Sequence, residues 1–371
     1  MSISTDNLYL HLLNLSSQLG PVRLNKLARY FSSFEKAFRA STRELREAGI
    51  EKKIAEDFID FKRSLDPDQE IKKLDQENIQ ILGLQDPDYP ELLREIYNPP
   101  VILYYKGKIP ASQKISLAVV GSRKNSDYGI QALENLLPPL LNNYQEEISI
   151  TSGLALGIDA QAHRTAVSQK ADTMAVLGCG LDEKTIFPPQ NQGLARQILE
   201  SGGNLISEFP PETPALKHHF PQRNRIIAGL SQAILVVEAE TRSGALITAN
   251  FALEQNRDIM ALPGNIFSPP SRGTNALIRK GAQAILNSED IASILNLTVK
   301  EKSSTNNNRG PSFKDKQEKK IFSCLGYSPL HVEYLVKLSG LDITTLNTKL
   351  AQMEIRGLTR NVGGMKFIKV D

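Results

Sequence analysis

"AVVGSRKNSDYG", residues 118–129, decides how the rest of the chain is read. A β-branched apolar run stops at Gly121, and Ser122 and Arg123 follow before a segment that can open a helix. In parallel α/β sheets a strand–glycine–helix turn of this kind receives anions, because the first amides of the helix are unpaired. Neither G-x-G-x-x-G nor G-x-x-x-x-G-K-[ST] is present, so the turn supports neither an NAD site nor a Walker-type ATP site.

Outward from this stretch the same texture repeats over residues 70–297. The runs "ISLAVVGS", "EISITSG", "TMAVLGCG", "NLISEFP", "QAILVVEA" and "DIMALPG" are continuously apolar, not alternating, as strands covered on both faces are. Amphipathic segments such as "YGIQALENLLPPLL", "GIDAQAHRTAVSQ" and "ALITANFALEQN" lie between them. Strand–helix alternation predicts an α/β fold, a Rossmann-like, doubly wound and mostly parallel sheet.

Two different textures flank it. Residues 1–69 read as a small helical domain, with a capping box at Ser41 and Glu44. There "LGPVRLNKLARYFSSFEKAF" resembles a helix-hairpin-helix, though the second glycine of such a turn is missing. Residues 298–312 are rich in Ser and Asn and read as a linker. Residues 313–371 offer three helical segments and a hairpin turning at Gly363-Gly364, the pattern of a winged helix.

Bulk composition narrows the class. The 371 residues carry a net charge of only +3, so any nucleic-acid footprint must be local. Two cysteines exclude a disulfide framework and a cysteine zinc cluster, and fit a reducing cytoplasm. The N-terminus lacks the layout of a secretion signal, and no apolar run approaches the roughly 18 residues of a membrane span. The expected location is the cytoplasm, without a membrane partner.

Ligands of open parallel sheets bind beyond the carboxyl ends of the strands, so the loops there carry the candidates. Gly121, Ser122 and Arg123 follow the first strand. Ser152 and Gly153 turn after the second, with Gly157 allowing another close approach and Asp159 expected to cap the helix. Lys184 follows the third strand; Arg242 and Ser243 follow the fifth. Lys217, Arg223, Asn224 and Arg225 lie in the basic segment between the fourth and fifth. Structural or solvent-facing roles are expected for His163, His218 and His219, and helix capping for Asp182, Glu208 and Glu238. No catalytic or metal-binding constellation and no cofactor site emerges. A mononucleotide needs one or two anion-receptive turns, whereas a row of them along one sheet edge suits a polynucleotide backbone.

The ordered blocks "GSRKNSDYG", "TSGLALGIDAQAH", "LGCGLD", "SEFPP", "FPQRNRIIAGLS", "VVEAETRSGALITA", "ALPG" and "SRGTNALIRKGA" resemble DNA-processing protein A (DprA, also called Smf) across about residues 85–290. The resemblance implies a dimeric, non-enzymatic, single-stranded-DNA-binding recombination mediator. Such a protein protects incoming DNA and loads the recombinase RecA during natural transformation. It implies DNA contacts from Ser122, Arg123, the Ser152–Gly153 turn and the Arg223-Asn224-Arg225 segment, with Lys184 as an addition. Phe187 stands where the family often has tyrosine, Ala245 where it often has serine, and "PPQN" lacks a basic residue. Phe187 and Phe220 could stack on bases, but both are expected in the core.

Two alternatives belong to other classes. Rossmann-like enzymes that cleave nucleoside monophosphates carry a Pro-Gly-Gly-x-Gly-Thr turn, absent from "EAETRSGALITA". A duplex-reading winged-helix regulator would need more arginine than "TTLNTKLAQMEIRG" supplies.

Overall fold

The computed structural model describes residues 3–108, 114–297, 313, 315–327 and 329–370. The expected linker, 298–312, lies outside the described residues. The chain divides into two compact units, the smaller beginning at Lys300.

In the larger unit six helices come first: α1 (Thr5–Asn14), α2 (Pro21–Tyr30), α3 (Phe34–Arg39), α4 (Thr42–Glu47), α5 (Lys52–Arg63) and α6 (Pro67–Gln76). The capping box at Ser41 and Glu44 forms as the sequence requires. The one glycine of the helix-hairpin-helix-like stretch, Gly20, precedes Pro21 at the start of α2, which has no side-chain cap. At the start of α3 the Asp6 carboxylate accepts from the amides of Phe34 (2.6 Å) and Glu35 (3.3 Å).

Strands and helices then alternate: β1 (Gln80–Gly83), α7 (Glu91–Arg94), β2 (Ile102–Gly107), β3 (Ile115–Val120), α8 (Asp127–Tyr144), β4 (Ile148–Ser152), α9 (Ile158–Ser168) and β5 (Thr173–Leu177). They continue with α10 (Gln192–Glu200), β6 (Asn204–Ser207), α11 (His219–Gly229), β7 (Ala233–Val236), α12 (Gly244–Glu254), β8 (Asp258–Ala261), α13 (Arg272–Arg279), β9 (Gln283–Ala284) and α14 (Ser288–Ile294). The sheet order is β1-β2-β6-β5-β4-β3-β7-β8-β9. Every pair from β6 to β9 is parallel, and β1 and β2 add an antiparallel edge.

The apolar runs are buried on both faces, as their lack of alternation demands. In β3, Leu117 and Val119 join the core under α8, α9 and α14, while Ala118 and Val120 join the core under α11 and α12. A third core unites α1, α2 and α5 with the sheet: Leu10, Leu27 and Phe58 cluster with Tyr104, Leu177 and Leu205. The helices expected as a flanking domain thus share buried surface with the sheet. Among the described residues no helix is long and apolar enough to cross a membrane.

The smaller unit contains α15 (Lys316–Cys324), β10 (Leu330–His331), α16 (Val332–Ser339), α17 (Ile343–Ile355), β11 (Thr359–Asn361) and β12 (Lys366–Lys369). Its three strands pair in the order β10-β12-β11, and Gly363 and Gly364 turn the wing with positive φ. This is a winged helix.

Candidate nucleic-acid interface

Strand order reverses between β3 and β7: the chain runs outward through β4 to β6 on one side and through β8 and β9 on the other. The helices after β3 and β7 therefore part on opposite faces, and a crevice opens at their N-terminal ends. A cavity of about 720 Å³ occupies that place. The loop after β3, α11 and the start of α12 line it. Arg123, Lys124, Lys217, Arg223 and Arg242 supply five cations against two carboxylates, Asp159 and Glu240.

The loop after β3 is shaped by its own residues. Ser122 Oγ accepts from the Lys124 amide (3.1 Å) and donates to the Lys124 carbonyl (2.9 Å), a local turn that places Arg123 and Lys124 in solvent. Ser126 caps α8, and its hydroxyl and amide both donate to the buried Glu238 at the end of β7. Glu238 thus clamps the two switch-point loops together; the helix cap expected of it is supplied by Ser126 instead.

Glycines at this edge admit the chain itself as much as a ligand. A side chain on Gly121 would strike Ile158, and one on Gly157 (φ 82°) would strike the Ser122 carbonyl. The Ile158 amide donates to that same carbonyl at 3.2 Å. The close approach read at Gly157 is therefore loop against loop.

Several expected site residues converge on the crevice: Gly121, Ser122, Arg123, Arg223, Asn224, Arg242 and Ser243. Asn224 Nδ2 also donates to the Gly244 carbonyl (3.3 Å), and Ser243 caps α12. Others take internal roles. Ser152 is buried and its hydroxyl donates to the Val119 carbonyl (2.6 Å), tying β4 to β3. Arg225 is not among the crevice residues; its Nη2 lies 2.6 Å from both oxygens of the buried Glu208. Two residues apart on a helix face nearly opposite directions, so Arg223 and Arg225 cannot both enter one crevice. Lys184 is exposed on the loop after β5 and is not among the crevice residues. Gly153 is buried beside the Arg223 guanidinium.

Burial sets the electrostatics at the crevice floor. It pulls the Arg223 pKa down to about 10, with Asp159 acting in the opposite sense, so the guanidinium stays charged at neutral pH. Burial likewise raises the Asp159 carboxyl, while Arg223 and the amides of Gly153 and Gly121 oppose that rise. Asp159 does not cap its helix: α9 has no side-chain cap, and the carboxylate accepts instead from the Gly153 amide (3.1 Å). The other candidate carboxylates are also occupied, Asp182 by the Glu212 amide (2.6 Å) and Glu208 by Arg225.

The aromatic residues depart from expectation. Phe187 is 44% exposed, and Phe220 is half-buried in the crevice wall, with ring centroids 5.8 Å apart. The Arg123 guanidinium lies 5.3 Å from the Phe220 centroid, a cation–π contact. His163 and His219 are buried and His218 is exposed, as anticipated. Lys124, next to Arg123, was overlooked in the sequence despite following it directly.

Fold and site together define a Rossmann-like protein with a cation-lined crevice at its switch point and a winged helix in the same chain. Within that class it belongs to the family of DNA recombination-mediator protein A, which matches residues 80–296, and the DprA winged helix domain matches residues 307–365. Protein Smf of Synechocystis sp. is 34% identical over 94% of this chain and 95% of its own length. DNA processing protein DprA of Streptococcus pneumoniae is 41% identical over 56% of this chain and 72% of its own. The solved structure of the Streptococcus pneumoniae protein superposes with a TM-score of 0.65 at 32% identity, covering 79% of this chain and 98% of that one. A structure addressing the single-stranded DNA binding mode of the Helicobacter pylori protein superposes at 0.50 with 26% identity, covering 58% and 96%.

Proposed function

We propose that this chain binds single-stranded DNA across the switch-point crevice and, as a homodimer in the cytoplasm, protects incoming strands and loads RecA recombinase during natural transformation. The observation that carries the reading is the cation-lined cavity beside Phe220 and Phe187. Phosphates would lie against Arg123, Lys124, Lys217 and Arg242, the field of Arg223 would act from below, and Lys184 would meet the strand beyond the crevice. Unpaired bases would stack on the exposed Phe187, a contact open to any sequence. The single-stranded DNA binding of the Helicobacter pylori relative supports the ligand class. The reading assigns no chemical step and no cofactor: binding alone does the work.

Fluorescent single- and double-stranded oligonucleotides titrated at several salt concentrations test it. The single strand is expected to bind more tightly, and Arg123→Ala to weaken binding and lower the salt slope by about 0.7, one phosphate on a single strand. Equal affinity for both forms, or an unchanged slope in Arg123→Ala, would overturn the crevice as the site. RecA loading is tested separately by filament assembly on strands already coated with single-strand-binding protein.

Deleting residues 313–371 is expected to leave single-strand affinity within about two-fold, because the smaller unit has its own core of Ile321, Leu335, Leu346 and Leu350. The solvent face of α17 also offers Thr344, Asn347, Thr348 and Gln352 but no exposed cation. Loss of most of the affinity in the same titration would move the principal site to the winged helix.

A further inference from the structure

We propose that Asp159 and Gly153 form the seat of Arg223: Asp159 is a positioning residue that holds the guanidinium at the crevice floor, and residue 153 is glycine because the guanidinium fills the space of its side chain. This deepens the reading of the crevice as a single-stranded DNA site and rests on it.

Four observations meet at this point. A Cβ on Gly153 would overlap the Arg223 guanidinium, so the two are in direct contact. The Gly153 amide donates to Asp159 Oδ2 at 3.1 Å, which brings the carboxylate to the same spot. Arg223 is 4% exposed and Asp159 6%, and both line the crevice. Arg223 Nη1 donates to the Val176 carbonyl (2.5 Å), but its Nε is buried without a hydrogen-bond partner. A guanidinium left so incompletely hydrogen-bonded in a dry place needs a counter-charge to remain there. Asp159, held on the Gly153 amide beside that guanidinium, is the nearby carboxylate whose charge favours the charged form of Arg223.

The arrangement joins three elements. Asp159 stands in the first turn of α9, Gly153 directly follows β4, and Arg223 belongs to α11. Because Ile158 packs on Gly121 and its amide holds the Ser122 carbonyl, a shift of this turn moves the loop that carries Arg123. One carboxylate thus sets both the floor and one wall of the crevice.

Charge and position predict opposite signs for Asp159→Asn. Removing a negative charge from a cationic crevice strengthens DNA binding if Coulomb attraction alone matters. If Asp159 positions Arg223, binding weakens, by about ten-fold for a typical coupling between neighbouring groups. Gly153→Ala keeps every charge and displaces the guanidinium, so it is expected to weaken binding similarly. In an Arg223→Gln background both substitutions should lose most of their effect.

The experiment measures affinity for a fluorescent single strand in the wild type, the three single variants and both doubles. The same set is unfolded in urea without DNA. Non-additive losses in both series support the seat. Tighter binding by Asp159→Asn, or additivity of both pairs, overturns it. Should Asp159→Asn fail to fold, Gly153→Ala and its double decide. A wild type that binds no single strand refutes the proposed function instead, and the DNA-free unfolding cycle still reports on the seat.

Discussion

Arg225→Ala is expected to destabilise the larger unit by about 3–5 kcal/mol, the cost of leaving one partner of a buried ion pair uncompensated. Arg225 Nη2 reaches both Glu208 oxygens at 2.6 Å, and the two side chains are 10% and 6% exposed. The pair ties the residue just after β6 to α11. Its surroundings join further elements: Asn14 of α1 donates to the Glu208 carbonyl (3.3 Å) and Gln255 to the Arg225 carbonyl (3.2 Å). Removing the guanidinium leaves a carboxylate whose pKa burial already raises, with only Arg225 opposing the rise. Urea unfolding of the wild type and variant measures the loss. Adding Glu208→Gln should recover part of it, since a neutral amide costs less to bury than an unpaired charge. Below the unfolding transition, Arg225→Ala should bind single strands with an unchanged salt slope, unlike Arg123→Ala. A stable variant with a reduced slope would restore Arg225 as a phosphate contact.

Much of this architecture was legible because strands buried on both faces announce themselves by composition. "AVVGS", "ISITSG" and "ILVVEA" need no partner to be read as β3, β4 and β7. The antiparallel edge was less visible: β1 and β2 depend on pairing with each other and with β6, which no local pattern records. The closure of α3 is invisible for a related reason: the amides of Phe34 and Glu35 are held by Asp6, about thirty residues upstream.

Site residues divide along the same line. Loop positions next to strand ends, such as Ser122, Arg123, Arg242 and Ser243, could be placed once the strands were placed. Residues on α11 could not, because a helix shows its phase only when its packing is known. Nothing in "FPQRNRIIAG" tells that Arg223 turns toward the crevice and Arg225 toward Glu208. Ser152 and Asp159 follow the same rule: the one, expected to meet an anion, meets the Val119 carbonyl, and the other, expected to cap its helix, meets the Gly153 amide. A turn built to meet phosphate and a turn built to meet the chain's own amides use the same residue types.

His163 gives the second large effect, on acid stability. It is fully buried, and its Nδ1 lies 2.7 Å from Thr173 Oγ1. That hydroxyl already spends its proton on the Ile150 carbonyl at 3.0 Å, so Nδ1 must donate and Nε2 is left bare. Nε2 is itself buried with no hydrogen-bond partner. Burial and then the Arg223 charge drive the pKa from 6.5 down to about 3, against the opposing pull of the Ser152 backbone. The unfolded chain therefore binds a proton that the folded one refuses, and stability falls as pH drops from about 6.5 toward 3. Each pH unit in that window costs about 1.4 kcal/mol, or roughly 4–5 kcal/mol across it. Asp159 and Glu208 act with the opposite sign, because burial raises their folded pKa values and protonation favours the folded state. Comparison with His163→Asn isolates the histidine, since its amide can still donate to Thr173 but does not titrate. Urea unfolding at pH 7, 5.5 and 4 should show the wild type losing stability faster than the variant. Parallel stability profiles would mean that the His163 imidazole accepts its proton in the folded chain as readily as in the unfolded one.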